Sequence, residues 1–326
     1  MIGRGILRRA AAAFAGLALS AASAVAADGD YPNRPINLVL PFAAGSGTDT
    51  TTRLIAKELG AALNATTVID NKAGANGSIA ASFVARAPAD GYTLFVTTNT
   101  THSANPYLLK LMSYDPVKDF TPIARTGDLP FMLVINPEIP AASVGELIAL
   151  AKKDPGKFSY ASGSSSAIVS GATFARLAGL DLLHVPYKSS PPALTDVIAG
   201  RVSMMFVDVP TGLPHVNGKA LKALAVTTKY RSKLLPDLPT MDEAGVKGFD
   251  ITSWQGWLGP ANLPPDVVKK LNTALRGIID RPEIKQQLAD RGMEAFSGPP
   301  EEFDGFVKDQ LVVWKKLVED AGIEKQ

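Results

Sequence analysis

Ile36-Asn37-Leu38-Val39-Leu40-Pro41-Phe42-Ala43-Ala44-Gly45-Ser46-Gly47-Thr48-Asp49 passes from an apolar, β-prone run into a small polar turn. Residues 49–63 then space Leu54, Ile55, Leu59 and Leu63 along one helical face. Strand, tight turn and helix in that order open an α/β unit. The rhythm continues with a strand at 66–69, a helix at 78–87 and a strand at 92–97, the last reached through the turn Pro88-Ala89-Asp90-Gly91. A parallel sheet covered by helices is the architecture this alternation predicts.

A second series predicts a strand at 131–135, a helix at 144–153, a strand at 158–161, a helix at 166–178, a strand at 183–185, a helix at 192–199, and strands at 202–207 and 221–226. Ser143-Val144-Gly145-Glu146 matches a capping box, and Gly179 is placed to end a helix. Three closing helices, 265–280, 282–291 and 300–321, each begin at proline, which the first helical turn tolerates. There is no repeat of fixed period and no Gly/Ser linker. Two domains tied by crossing strands are therefore expected.

The first 26 residues read as a signal peptide: Arg4, Arg8 and Arg9, an Ala/Leu-rich stretch, then Ala24-Val25-Ala26 as a cleavage-like tripeptide. The apolar run is shorter than the ~20 residues a spanning helix needs. Periplasmic export is the expectation. Cleavage after Ala26 leaves 300 of the 326 residues, enough for two cores. The leader carries three of the 33 basic residues and none of the 31 acidic ones, so the whole chain's +2 becomes −1. A near-neutral chain without Lys/Arg runs has no electrostatic footprint for nucleic acid. The absence of cysteine removes lipidation, disulfides, thiolate metal sites and a cysteine nucleophile. His102, His184 and His215 have no metal-binding spacing, so neither metal nor cofactor is expected.

Two loops are suited to an anion. The first runs from Pro41 to Asp49, and the second is Ser162-Gly163-Ser164-Ser165-Ser166; each joins a predicted strand to a predicted helix. Such loops bring unpaired N–H groups to a helix N-terminus, where the dipole favours negative charge. Tight turns and caps alone would use the same residues. Neither loop carries Lys or Arg. One helix terminus contributes roughly 0.3–2 kcal/mol to an anion, against about 8 kcal/mol for micromolar affinity. Further hydrogen bonds and water exclusion on closure must supply the rest. Gly45-Ser46-Gly47-Thr48-Asp49-Thr50 has Thr50 where a dinucleotide fingerprint needs glycine. Gly163-Ser164-Ser165-Ser166-Ala167 comes close to a nucleophile elbow, so a secreted serine hydrolase is the competing class, with His184 or His215 as base and Asp196 or Asp208 as orienter. Trp254 and Trp257 are expected in core or hinge packing.

Several further motifs stand in order along the chain: Tyr31-Pro32-Asn33-Arg34-Pro35-Ile36, Ala87-Pro88-Ala89-Asp90-Gly91-Tyr92, Tyr114-Asp115-Pro116, His184-Val185-Pro186-Tyr187-Lys188 and Leu235-Pro236-Asp237-Leu238-Pro239-Thr240. With the Pro41-to-Gly45 turn they resemble the Bug family of periplasmic solute receptors, which includes the binding components of tripartite tricarboxylate transporters. The resemblance implies a type II periplasmic-binding-protein fold: two doubly wound α/β domains joined by two crossing strands, near 125–129 and 251–259. Domain 1 would comprise 27–127 and 252–326, and domain 2 would comprise 128–251, with the ligand cleft between them. It implies a small mono- or dicarboxylate or an amino acid as ligand, and membrane transporter subunits or a signalling partner for a monomeric receptor. A periplasmic sensor subunit is the other receptor role. Carried over by position, the ligand-binding residues are Phe42, Ala44, Ser46, Thr48, Asp49, Asn99, Thr101, His102, Ser162, Gly163, Ser164, Ser165, Lys188 and Asp208, with no catalytic residue. Ser46 and Ser189 stand where the family usually has glycine.

Overall fold

The opening apolar run is strand β1 (Ile36–Leu40), and its turn leads into helix α1 (Gly47–Leu63). The computed structural model describes residues 31–326, so the expected leader at 1–26 lies outside the described residues. Strand β2 (Thr67–Asn71), helix α2 (Ser78–Ala85) and strand β3 (Thr93–Thr98) complete the first unit, with β1 parallel to both β2 and β3. One π-helical turn, Thr100–Ala104, follows β3 and runs into the short helix α3 (Asn105–Leu108).

The strand expected at 131–135 is only the second half of β4 (Phe120–Ile135). Its first half pairs antiparallel with β9 (Thr252–Pro260), which is antiparallel to β3. The second half of β4 pairs antiparallel with β7 (Met204–Asp208) and β8 (Lys222–Val226). Beyond β7 lie β5 (Ser159–Ser162) and the edge strand β6 (Leu183–Pro186), parallel to each other, with β5 also parallel to β7. A two-residue strand β10 (Glu294–Ala295) joins β4 at Gly127 and Asp128. The order β2-β1-β3-β9-β4-β7-β5-β6 makes one mixed sheet, with the expected parallel pairs within each wing and the antiparallel pair β4 and β9 crossing its middle. The reason is β4 itself: it passes straight from the first wing into the second without a crossover helix to reverse it.

Second-wing helices are α4 (Val144–Lys153), α5 (Ser165–Ala178), α6 (Ser190–Ile198) and α7 (Val209–Asn217). Ser143 accepts from the Glu146 N–H, while Glu146 reaches back to the Ala142 N–H at 2.7 Å, one residue beyond the usual capping-box partner. Gly179 ends α5 at φ 63°. Helix α7 is absent from the sequence expectation because Pro210, Gly212 and Pro214 read as breakers. Pro210 falls in the first turn, where its missing N–H costs nothing, and Asp208 caps the helix. Helices α8 (Pro265–Ile279), α9 (Pro282–Ala289) and α10 (Pro300–Asp320) close the chain.

Alternation along β4 and β7 divides the second-wing core. Leu133, Ile135, Met204 and Phe206 face a layer containing Phe174 and Trp314, whereas Met132, Val134, Met205 and Val207 face Leu194, Val197 and Leu213. Both faces are covered, as a central α/β strand requires. Helix α10 ties the wings together. Its Phe303 and Val307 pack in the first-wing core with Val39, Phe95 and Trp254, and its Trp314 and Val318 pack in the second. Trp254 and Trp257 are both buried. Among the described residues no helix is long and apolar enough to cross a membrane.

Candidate functional site

Four helices begin at one cavity. Ser46 caps α1, Ser164 caps α5, Ser189 precedes α6 and Asp208 caps α7. The cavity is lined from these starts by Phe42, Ser46, Gly47, Thr48, Ser164, Ser190 and Asp208. Thr98 on β3, Leu129 and Phe131 on β4, and Ser253 on β9 complete it, so the crossing strands supply part of the wall.

The wings touch around this cavity. The Ala43 N–H donates to Ser189 Oγ at 3.1 Å, and the Gly47 N–H donates to Thr211 Oγ1 at 2.6 Å. Asn99 Nδ2 donates to Ser166 Oγ at 3.0 Å, and the Ser165 N–H reaches Thr100 Oγ1 at 3.4 Å. Gly47 permits the approach, because a Cβ there would collide with the Asp208 carboxylate; within the second wing, a Cβ on Gly163 would collide with the backbone of Ser189 and Ser190.

Of the residues expected from sequence, Phe42, Ser46, Thr48, Ser164 and Asp208 line the cavity. Gly163 and Ser165 sit one layer behind, where Ser165 Oγ donates to Asn105 Oδ1 at 3.4 Å. Asn99 bridges wings rather than lining the wall, its Oδ1 accepting from Ser253 Oγ. Thr101 and His102 turn into the core. Thr101 Oγ1 bonds Thr97 Oγ1 at 2.6 Å, and the His102 ring packs against Phe120 and Phe95 at 4.6 and 5.7 Å. Burial lowers the His102 pKa to about 3, so its imidazole is neutral. Ala44 and Lys188 are exposed outside the cavity.

Asp49 is buried but engaged. It accepts from the Gly45 N–H at 2.9 Å, from Arg53 through Nε and Nη2 at 2.9 Å each, and from Asn71 Nδ2 at 3.0 Å. Burial alone would raise its pKa, but these donors together hold it below the usual carboxylate value. Asp208 is the opposite case. Burial pushes its pKa up, offset only by hydrogen bonds from Thr211 and its own backbone, with no cation acting on it.

Gly47, Thr98, Leu129, Phe131, Ser190 and Ser253 line the cavity without having been singled out from sequence. Ser189-Ser190-Pro191-Pro192 carries the cap-then-proline signature of a helix start and could have flagged the third N-terminus. Leu129, Phe131 and Ser253 have no local signal; only strand pairing puts them there. The arrangement required of a hydrolase is not assembled. Ser164 Oγ accepts from the Ala167 N–H, Ser165 meets Asn105 and Ser166 meets Asn99, while His184 bonds the buried Ser162 at 2.7 Å.

Residues 51–323 match the model of the tripartite tricarboxylate transporter family receptor. The chain belongs to this family. The receptor is 31% identical to protein BugT of Bordetella pertussis over 304 residues, 92% of this chain and 93% of that one. Among solved structures it is similar to R. palustris Rpa4515 with adipate: 35% identity and a TM-score of 0.89, covering 91% of this receptor and all of that chain. It is also similar to MatC (Rpa3494) from Rhodopseudomonas palustris with bound malate, at 30% identity and a TM-score of 0.84, covering 88% and 100%. The receptor thus shares the α/β fold of periplasmic binding proteins, in a family of solute receptors rather than of enzymes.

Proposed function

We propose that the chain is an extracytoplasmic receptor that binds a small carboxylate, a mono- or dicarboxylate or an amino acid, and delivers it to a tripartite tricarboxylate-type transporter. The observation that carries this is the convergence of four helix N-termini on a cavity that no Lys, Arg or His lines. Each N-terminus acts as roughly half a positive charge, so an anion is favoured by dipoles and N–H donors alone. The adipate of Rpa4515 and the malate of MatC support the same chemistry here.

The wings act as two domains, 27–127 with 252–326 and 128–251, that move about β4 and β9. Contacts from Ala43 to Ser189 and from Gly47 to Thr211 join the wings beside the cavity, so the wings part to admit ligand and close again around it. Phe42 and Leu129 exclude solvent, and Ser46, Thr48, Ser164, Ser190 and Ser253 supply hydroxyls. The leader directs the receptor to the periplasm.

A thermal-shift panel of malate, succinate, adipate, glutamate and simple monocarboxylates on ligand-free mature protein tests this reading. A ligand at 100 times its Kd adds about 2.7 kcal/mol of stability. No rise in Tm with any of them would sink the proposal.

A further inference from the structure

Asp208 occupies ground that suits an anion. Its Oδ1 accepts from the Thr211 N–H at 3.0 Å and from Thr211 Oγ1 at 2.5 Å, and lies against Gly47 in the first turn of α1. Apart from Thr211 only its own backbone donates to the carboxylate, and Asp208 is the only ionisable side chain among those lining the cavity. Thr211 Oγ1 in turn accepts from the Gly47 N–H, so the carboxylate is joined through one hydroxyl to the α1 terminus.

Charged groups on the surrounding elements are turned to other partners. On α1, Asp49 and Arg53 pair with each other. On β4, Arg125 and Asp128 pair at 2.5 Å. Near Gly292, which packs on Val209, Arg291 donates to the Gln287 carbonyl and Glu294 accepts from Tyr230. His215 lies in the last turn of α7, and Lys188 is exposed ahead of α6. None of these lines the cavity. A carboxylate drawn to the helix termini therefore arrives beside a second carboxylate with no cation between them. Two such groups sharing a site cannot both ionise.

We propose that a ligand carboxylate enters this site together with one proton, which it shares with Asp208, so that Asp208 sets the charge state the site accepts. This rests on the carboxylate reading above. The alternative occupant beside Asp208, a ligand ammonium, only donates hydrogen bonds, and the cavity wall is built from helix starts whose N–H groups also donate. Proton sharing satisfies both sides: one carboxyl donates to the other, and the remaining oxygens accept from the helix starts. The direction of the Asp208 pKa, raised by burial, agrees.

Calorimetry of mature protein with malate and with adipate from pH 6.5 to 8.5, in two buffers of different ionisation heat, tests this. Reference carboxyl pKa values near 4 leave the free ligand ionised across that range. The expected result is a Kd that tightens as pH falls, by up to about tenfold per unit, with proton uptake approaching one per ligand. Asp208→Asn should bind more tightly than wild type at pH 8.5 and lose the pH dependence. A pH-independent Kd without proton uptake overturns the proposal while leaving carboxylate binding intact. Weaker binding by Asp208→Asn at every pH, or glutamate binding that tightens as pH rises, also overturns it, because Asp208 would then be meeting a ligand cation. Absence of any binding by wild type overturns both readings. If Asp208→Asn does not fold, the wild-type proton count decides.

Discussion

Asp49 and Asp208 are the same residue type in matching places: each is a buried aspartate at the start of a helix, and each comes from the strand–helix turns that surround the cleft. Their chemistry diverges because of their partners. Asp49 collects a backbone N–H, an amide and a two-pronged guanidinium, and stays ionised as an internal strut of the first turn of α1. Asp208 collects only the donors of Thr211 and of its own backbone, touches Gly47 of the opposite wing, and has its ionised form disfavoured by burial. Helix position therefore does not assign a carboxylate its role. The donors that saturate it, or fail to, do so.

The sharpest way to break this contrast is at the contact itself. Gly47→Ala puts a methyl group into the Asp208 carboxylate and should weaken ligand binding more than tenfold, with a smaller effect on the Tm of ligand-free protein, because it obstructs closure rather than either core. Wild-type affinity in the variant would show that the wings need not approach this closely.

Asp49→Asn should cost about 1–3 kcal/mol of folding stability in denaturant titration, since it strips a charged acceptor from buried donors. Arg53→Gln should cost less, roughly 0.5 kcal/mol, because the Arg53 side chain is half exposed and solvent screens the pair. The sign with pH follows from the lowered pKa of Asp49. Its contribution is complete above the unfolded carboxyl value near 4 and is lost as pH falls through the lower folded value. Asp49→Asn should therefore flatten part of the acid-side loss of stability, whereas Asp208→Asn should not.

The smallest expected effect is at Ser189. Ser189→Ala removes the acceptor of the Ala43 N–H and should change affinity by a factor of a few, in line with one hydrogen bond of about 1 kcal/mol. An unchanged Kd would mean that water replaces the hydroxyl without loss.

Much of this molecule is legible in its sequence because the signals involved are local. Helix α4 falls on 144–153 as its cap and periodicity predict, Gly179 ends α5, and the strand–turn–helix character of both anion loops survives in the fold. Phe42, Ser46, Thr48, Ser164 and Asp208 were within reach for the same reason: each lies next to a strand end or a helix cap, and those are readable within a few residues. Thr101 and His102 illustrate the limit. They follow a strand as the loop residues do, but a π-helical turn directs them into the aromatic core instead of the cleft.

Sequence by itself determined the alternation of elements, the helix starts and the absence of a basic side chain in either anion loop. Tertiary structure alone decided that the starts of α1 and α5 meet those of α6 and α7, that β4 and β9 bring Leu129, Phe131 and Ser253 beneath them, and that one aspartate is saturated while the other is not. The physical reason is range. Capping, periodicity and turn preference act over a few residues along the chain, whereas the partners of Asp208 and Ser189 on the opposite wing, Gly47 and Ala43, are well over a hundred residues distant and come within reach only when the sheet brings its two wings together.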